Sequence, residues 1–245
     1  MCCHALIRLL YEEKEQLEYL CIFDAEQKRL CHTWITKRIL FRIIFAAFIF
    51  PAIPGWFILH EYSTFFSYAT NWGHLVTMAS LIVSAYVPYS QTYRRKPRLM
   101  AWNHALLSCS VLLMCIIMPV YWSMVHQSIL QRNVGNHIKV AYTYYTHTVP
   151  AAACLYNFTV TDFLFSRSYA KFTVFLVGVF MTINFTVTQL TGIITYQFLK
   201  WQDPIESVCV VTLFTLLALG LVYLLAFVSE ISKSRRLPII EKEGK

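Results

Sequence analysis

Charge is scarce in this 245-residue chain: 14% of the residues are charged, Asp and Glu together number 13, and glycine occurs 7 times. The runs 66–88, 101–125 and 172–197 contain no Asp, Glu, Lys or Arg. Soluble globular domains rarely combine so little charge with a hydrophobic share of 57%. The missing carboxylates argue against a second class. Proton pumps and ion-coupled transporters work through acidic groups near the bilayer midplane, whereas Asp162, Glu206 and Glu230 lie near the ends of their apolar runs.

Closely spaced cysteine pairs of the zinc-site kind are also missing. The 8 cysteines are scattered and read as reduced packing residues, with the adjacent Cys2 and Cys3 as candidate palmitate acceptors. No apolar leader opens the chain, because Glu12, Glu13, Glu15, Glu18, Asp24 and Glu26 occupy its place. Nothing in the pattern calls for a cofactor, a metal, a nucleotide or a nucleic acid. The net charge of +8 sits in short clusters, Arg94, Arg95, Lys96 and Arg98 above all, which suits membrane flanks better than a nucleic-acid groove.

What is present is long apolar runs, at 39–59, 66–88, 101–125, 140–164, 172–197 and 206–229. Twenty residues at 1.5 Å each cross a hydrocarbon core of roughly 30 Å. The fold class expected is therefore all-α, a polytopic transmembrane helical bundle of about six spans with an N-terminal interfacial helix at 5–23. Three segments follow: residues 1–38 as a cytoplasmic or matrix-side segment, 39–230 as the transmembrane domain, and 231–245 as a basic tail. Thirteen flanking cations (Lys28, Arg29, Lys37, Arg38, Arg94, Arg95, Lys96, Arg98, Arg167, Lys171, Lys233, Arg235 and Arg236) fall on one side and three (Arg132, Lys139 and Lys200) on the other, so both termini should lie on the cytoplasmic or matrix side. Pro51 and Pro54 should kink the first span and leave backbone groups that a neighbouring helix or water must satisfy. The string NFTVT recurs at 157–161 and 184–188 without matching surroundings, and both sequons lie inside spans where glycosylation is not expected.

The spans carry hydroxyl, amide and imidazole in place of charge. Thr70, Asn71, His74, Thr77 and Ser80 lie in the second, and Thr143, Thr146, His147, Thr148 and Asn157 in the fourth. If both spans enter from the external side, Thr70 lies about 6 Å deep, His74 about 12 Å and His147 about 10 Å. The three can then share one layer. Two chemistries fit that layer: a Thr nucleophile with a His base, or two imidazoles gripping a haem. A plain packing histidine near a helix end fits as well.

Three stretches, FFSYATNWGHLVTMASLIVSAY (65–86), YYTHTVPAAACLYN (144–157) and the final pair of runs joined through LKWQDP, resemble the androgen-induced-protein and rolling-stone family of multi-span proteins. Some members of that family hydrolyse fatty acid esters of hydroxy fatty acids. The resemblance places the nucleophilic threonine on Thr70 and the catalytic histidine on His147, with Asn71, His74 and Thr143 as candidate substrate-binding residues. Tyr144, Tyr145 and Thr146 stand where the family often has Asn and Gly. The partners implied are membrane lipids and a lipid ester, in the endoplasmic reticulum or plasma membrane, with the mitochondrial inner membrane as an alternative. Two further readings stay open: a non-catalytic scaffold or accessory subunit of a membrane protein complex, and a single-haem protein using His74 and His147.

Overall fold

The computed structural model describes residues 32–60, 62–86, 97–160, 165–199 and 201–234. The expected interfacial helix at 5–23 and most of the basic tail lie outside the described residues. Among those described, every regular element is helical. The elements are α1 (His32–Ile49), α2 (Ala52–Leu59), a short 3-10 turn (Tyr62–Ser67), α3 (Ala69–Tyr86), α4 (Pro97–Val120), a π-helical turn (Tyr121–Val125), α5 (His126–Arg132), α6 (His137–Val160), α7 (Tyr169–Thr191) and α8 (Pro204–Ser234).

Four segments are long and apolar enough to cross a membrane: Arg38–Leu59, Ala101–Arg132, Ala170–Thr191 and Ile205–Ile231. The remaining two expected spans correspond to α3 and α6, which are helical but diluted by Thr, Ser, Asn and His. The fifth run was expected to continue to 197, yet α7 ends at Thr191 because Gly192 adopts a left-handed φ of 71° and closes the helix on the Thr188 carbonyl.

The chain divides into two compact units, Met1–Asp162 and Phe163–Lys245. In the second, α7 and α8 pair. Asn184 is buried and its Oδ1 accepts a hydrogen bond from the Trp201 indole at 2.8 Å. At the other end the Phe165 amide donates to Ser229 Oγ, and Arg167 pairs with Glu230 at 3.0 Å in an exposed bridge. Most of the α7 and α8 surface is left open and apolar, as a helix facing lipid should be.

In the first unit α1, α3, α4 and α6 pack together, with Ile49, Leu81 and Ala153 fully buried at their meeting point. Pro51 breaks the first span outright: α1 stops at Ile49, Phe50 and Pro51 form a turn, and α2 restarts at Ala52. A broken helix in an apolar setting exposes carbonyls that need donors. The donors come from α6, where the Tyr142 hydroxyl reaches the Ala52 carbonyl at 2.6 Å and the Tyr145 hydroxyl reaches the Phe48 carbonyl. Tyr142 and Tyr145 thus secure the proline break.

Gly73 lets α3 and α4 approach closely. A side chain there would meet the Met114 methyl and, at 2.9 Å, the Ile117 Cδ1. Small residues serve this purpose between membrane helices. Gly73→Leu is expected to cost about 1–3 kcal/mol by overpacking, read as a lowered thermal midpoint of the purified protein in detergent. Gly178→Leu, where nothing lies within 4 Å, should leave the midpoint nearly unchanged.

Candidate active site

The polar residues of α3 recur at helical spacing. Thr70, His74, Thr77, Ser80 and Ser84 follow intervals of four, three, three and four, which puts them on one face. All five are buried. Each finds a partner on α4 or α6: Thr77 bonds Ser110 at 2.8 Å, Ser84 donates to Asn103 Oδ1 at 2.8 Å, and Asn157 Nδ2 reaches Ser80 at 3.2 Å. Thr70 and His74 turn to the upper part of α6.

Thr70 Oγ1 lies 3.1 Å from His147 Nε2. The direction of that bond follows from the other ring nitrogen. His147 Nδ1 is 2.8 Å from the Thr143 carbonyl, which can only accept, so Nδ1 carries the proton and Nε2 offers a lone pair. Thr70 therefore donates its hydroxyl proton toward Nε2. This is a hydroxyl facing a lone pair whose ring is held in turn by a third group, the geometry that a nucleophile and base pair requires. That third group is a backbone carbonyl in place of the carboxylate of a serine-protease triad.

His74 is fixed by proline chemistry. Pro150 within α6 has no N–H, which leaves the Thr146 carbonyl without its usual partner one turn on. His74 Nε2 donates to that carbonyl at 2.7 Å. The bond ties α3 to α6 one residue from His147. Asn71 Nδ2 donates to the Phe65 carbonyl at 2.9 Å and pins the 3-10 turn that precedes Thr70. The Thr143 side chain bonds the Lys139 carbonyl at 2.8 Å, so this residue acts on His147 through its backbone. Thr70, His147, His74 and the Thr143 carbonyl are thus gathered together, while Asn71 sits beside them with its amide nitrogen engaged by the chain. Neither His74 Nε2 nor His147 Nε2 is free of protein hydrogen bonds.

Two further buried residues take part, one at each end of the polar seam. Tyr121 stacks flat on His147, with ring centroids 3.5 Å apart and planes inclined by 16°. It opens the π-helical turn that follows Pro119, a local widening of the helix of the sort often found at working sites. Its hydroxyl is 3.0 Å from His126 Nδ1. The second is Arg42, buried at the far end of the polar seam, where Nε donates to Asn157 Oδ1 at 2.9 Å and a terminal nitrogen donates to the Ser84 carbonyl at 2.8 Å. An arginine four residues inside an apolar run was the available signal for it. Pro119, two residues before Tyr121, was the signal for the other.

Among the described residues no group of three or more His, Cys, Asp or Glu could hold a metal ion. Compared with family models, curated proteins and solved structures, the chain matches none.

At the C-terminal end of α2, His60 stacks on Trp56 with ring centroids 4.1 Å apart. Burial first, and the Lys139 ammonium second, hold its imidazole below the ordinary value of 6.5. The unfolded chain then binds this proton more readily than the folded one. Stability should be full above about pH 6.5 and should fall as acidification passes through the lowered folded-state value. Thermal unfolding followed from about pH 7.5 to about pH 5 is expected to show that decline, with a shallower slope in His60→Gln.

Proposed function

We propose that this protein is a membrane-embedded hydrolase of lipid esters, with Thr70 as nucleophile and His147 as its general base. The observation that carries the reading is the 3.1 Å contact between Thr70 Oγ1 and the unprotonated Nε2 of His147, residues 77 positions apart in sequence. In this mechanism Oγ1 attacks the ester carbonyl carbon and its proton passes to Nε2. The tetrahedral intermediate then collapses as Nε2 returns that proton to the departing alcohol. An acyl-threonine remains, and water resolves it. The Thr143 carbonyl keeps the ring in the right tautomer, and its dipole favours the imidazolium that forms. A carbonyl does this less strongly than a carboxylate, so modest turnover is expected.

The resemblance to the androgen-induced-protein and rolling-stone family supports fatty acid esters of hydroxy fatty acids as substrates. Such molecules would reach the site sideways from lipid. Exposed Phe50, Phe57, Ile58 and Phe66 give the neighbouring surface the required apolar character. We further propose six spans, with α3 and α6 crossing the membrane alongside the four more apolar segments and both termini on the side of the thirteen cations. Endoplasmic reticulum or plasma membrane is the location this reading favours, with the mitochondrial inner membrane as the alternative.

A second reading is a non-catalytic scaffold or accessory subunit of a larger membrane complex. It draws on the seam from Arg42 through Asn157, Ser84 and Asn103, which hydrolysis does not use. There the Thr70–His147 bond would be one more link between helices. A single-haem protein is favoured least, because His74 and His147 would each have to surrender the bond at Nε2.

Hydrolysis of a branched fatty acid ester of a hydroxy fatty acid by the purified protein separates these readings. Thr70→Ala and His147→Ala are each expected to lower kcat/KM by about 100-fold or more, and Thr70→Ser should retain activity. Equal turnover by the wild type and both alanine variants would remove the assignment.

A further inference from the structure

The hydrolase reading requires water to reach an acyl-threonine inside an apolar bundle. Three buried side-chain atoms of α2 and the first two turns of α3 lack a protein partner: Trp56 Nε1, Asn71 Oδ1 and His74 Nδ1. Their residues are all at least nine-tenths buried, with Asn71 and His74 at 1% exposure and Trp56 at 6%. Buried polar atoms in folded proteins are almost always satisfied by protein or by ordered water.

The chemistry of the three atoms narrows what can satisfy them. The Trp56 indole can only donate. Asn71 Oδ1 can only accept, because the amide is oriented with Nδ2 toward the Phe65 carbonyl. His74 Nδ1 also accepts, since Nε2 must carry the ring proton to reach the Thr146 carbonyl. One donor and two acceptors match water, which supplies two hydrogens and takes two. An apolar acyl chain matches none of them.

The three are linked in space. Trp56 packs its ring against Phe65 at 6.2 Å and Tyr68 at 4.6 Å, and Asn71 bonds the carbonyl of that same Phe65. Asn71 and His74 are three residues apart on α3, and His74 lies one turn from Thr70, so His74 neighbours both on the helix surface. On its other side Trp56 stacks on the partly exposed His60, at the C-terminal end of α2.

We infer that Trp56, Asn71 and His74 hold a short file of buried water that runs from the C-terminal end of α2 to the Thr70–His147 pair and supplies the water of deacylation. In that step the water oxygen bonds to the acyl carbon and one water proton goes to His147 Nε2. The bond from that carbon to Thr70 Oγ1 then breaks, and Oγ1 recovers the proton from Nε2. The fatty acid leaves, and the pair is restored. The water file stands on the orphaned atoms alone; its role in deacylation rests on the hydrolase reading.

The test uses the full chain in lipid nanodiscs and has two arms. With 15N-indole labelling, the Trp56 signal, identified by its loss in Trp56→Phe, should receive magnetisation from water. No transfer would overturn the file. In single turnovers of the ester, Trp56→Phe and Asn71→Leu should slow deacylation about tenfold and acylation much less. Acyl-Thr70 should then accumulate in the intact-protein mass spectrum. Equal slowing of both steps, or of neither, would overturn the delivery role. If the wild type forms no acyl-protein at all, the hydrolase reading fails and the delivery role falls with it, while the indole signal still decides the water file.

Discussion

One face of α3 governs the first unit. A helix that carries Thr70, His74, Thr77, Ser80 and Ser84 along a single line cannot turn that line to lipid, where each unpaired group would cost free energy. It must turn inward, and every neighbour must bring a complementary group at the matching height. Ser110 and Asn103 on α4 do so, as do Asn157, the Thr146 carbonyl and His147 on α6, and Arg42 joins from α1. Each such bond between helices in an apolar setting is worth only about 1 kcal/mol. Their collective effect is register. Sliding any one helix by a residue would leave several buried partners unmatched at once, so the seam fixes Thr70 opposite His147 while Gly73 supplies the close approach to α4.

Prolines supply much of the polarity that the seam uses. Pro150 frees the Thr146 carbonyl for His74, and Pro51 interrupts the first span, where Tyr142 and Tyr145 bond carbonyls on either side of the break. These contacts hold the upper half of α6 from two directions, α1 with α2 on one side and α3 on the other. His147 sits between them, stacked on Tyr121 and bonded at both nitrogens. An imidazole restrained in this way would need little rearrangement to accept a proton, which is the condition that the proposed hydrolysis places on it.

The helical class and the membrane character were legible from composition and from run length alone, because hydrophobic blocks of 20 or more residues leave few other folds. Depth counting along two helices placed Thr70 and His147 in one layer, and their side-chain atoms meet at 3.1 Å. The helix stops at Thr191, short of the end of its apolar run, because Gly192 takes a left-handed conformation that hydrophobicity does not report. Arg42 and Tyr121 were harder to read. The burial of Arg42 depends on Asn157, 115 positions away, and Tyr121 owes its setting to a π-helical turn that no periodicity signals. Tyr142 and Tyr145 reach carbonyls on either side of the proline break, a role that depends on the fold bringing α6 against the first span and that no local pattern signals.

The Thr143 carbonyl holds the proton of His147 on Nδ1 and so turns a bare Nε2 toward Thr70. Nitrogen-15 NMR of imidazole-labelled protein in nanodiscs tests this most directly, with His147 assigned by its absence in His147→Gln. The account predicts a protonated Nδ1 and an unprotonated Nε2 whose resonance shifts when Thr70→Val removes the hydroxyl. A proton on Nε2 in the wild type, or an Nε2 resonance indifferent to Thr70→Val, would contradict it.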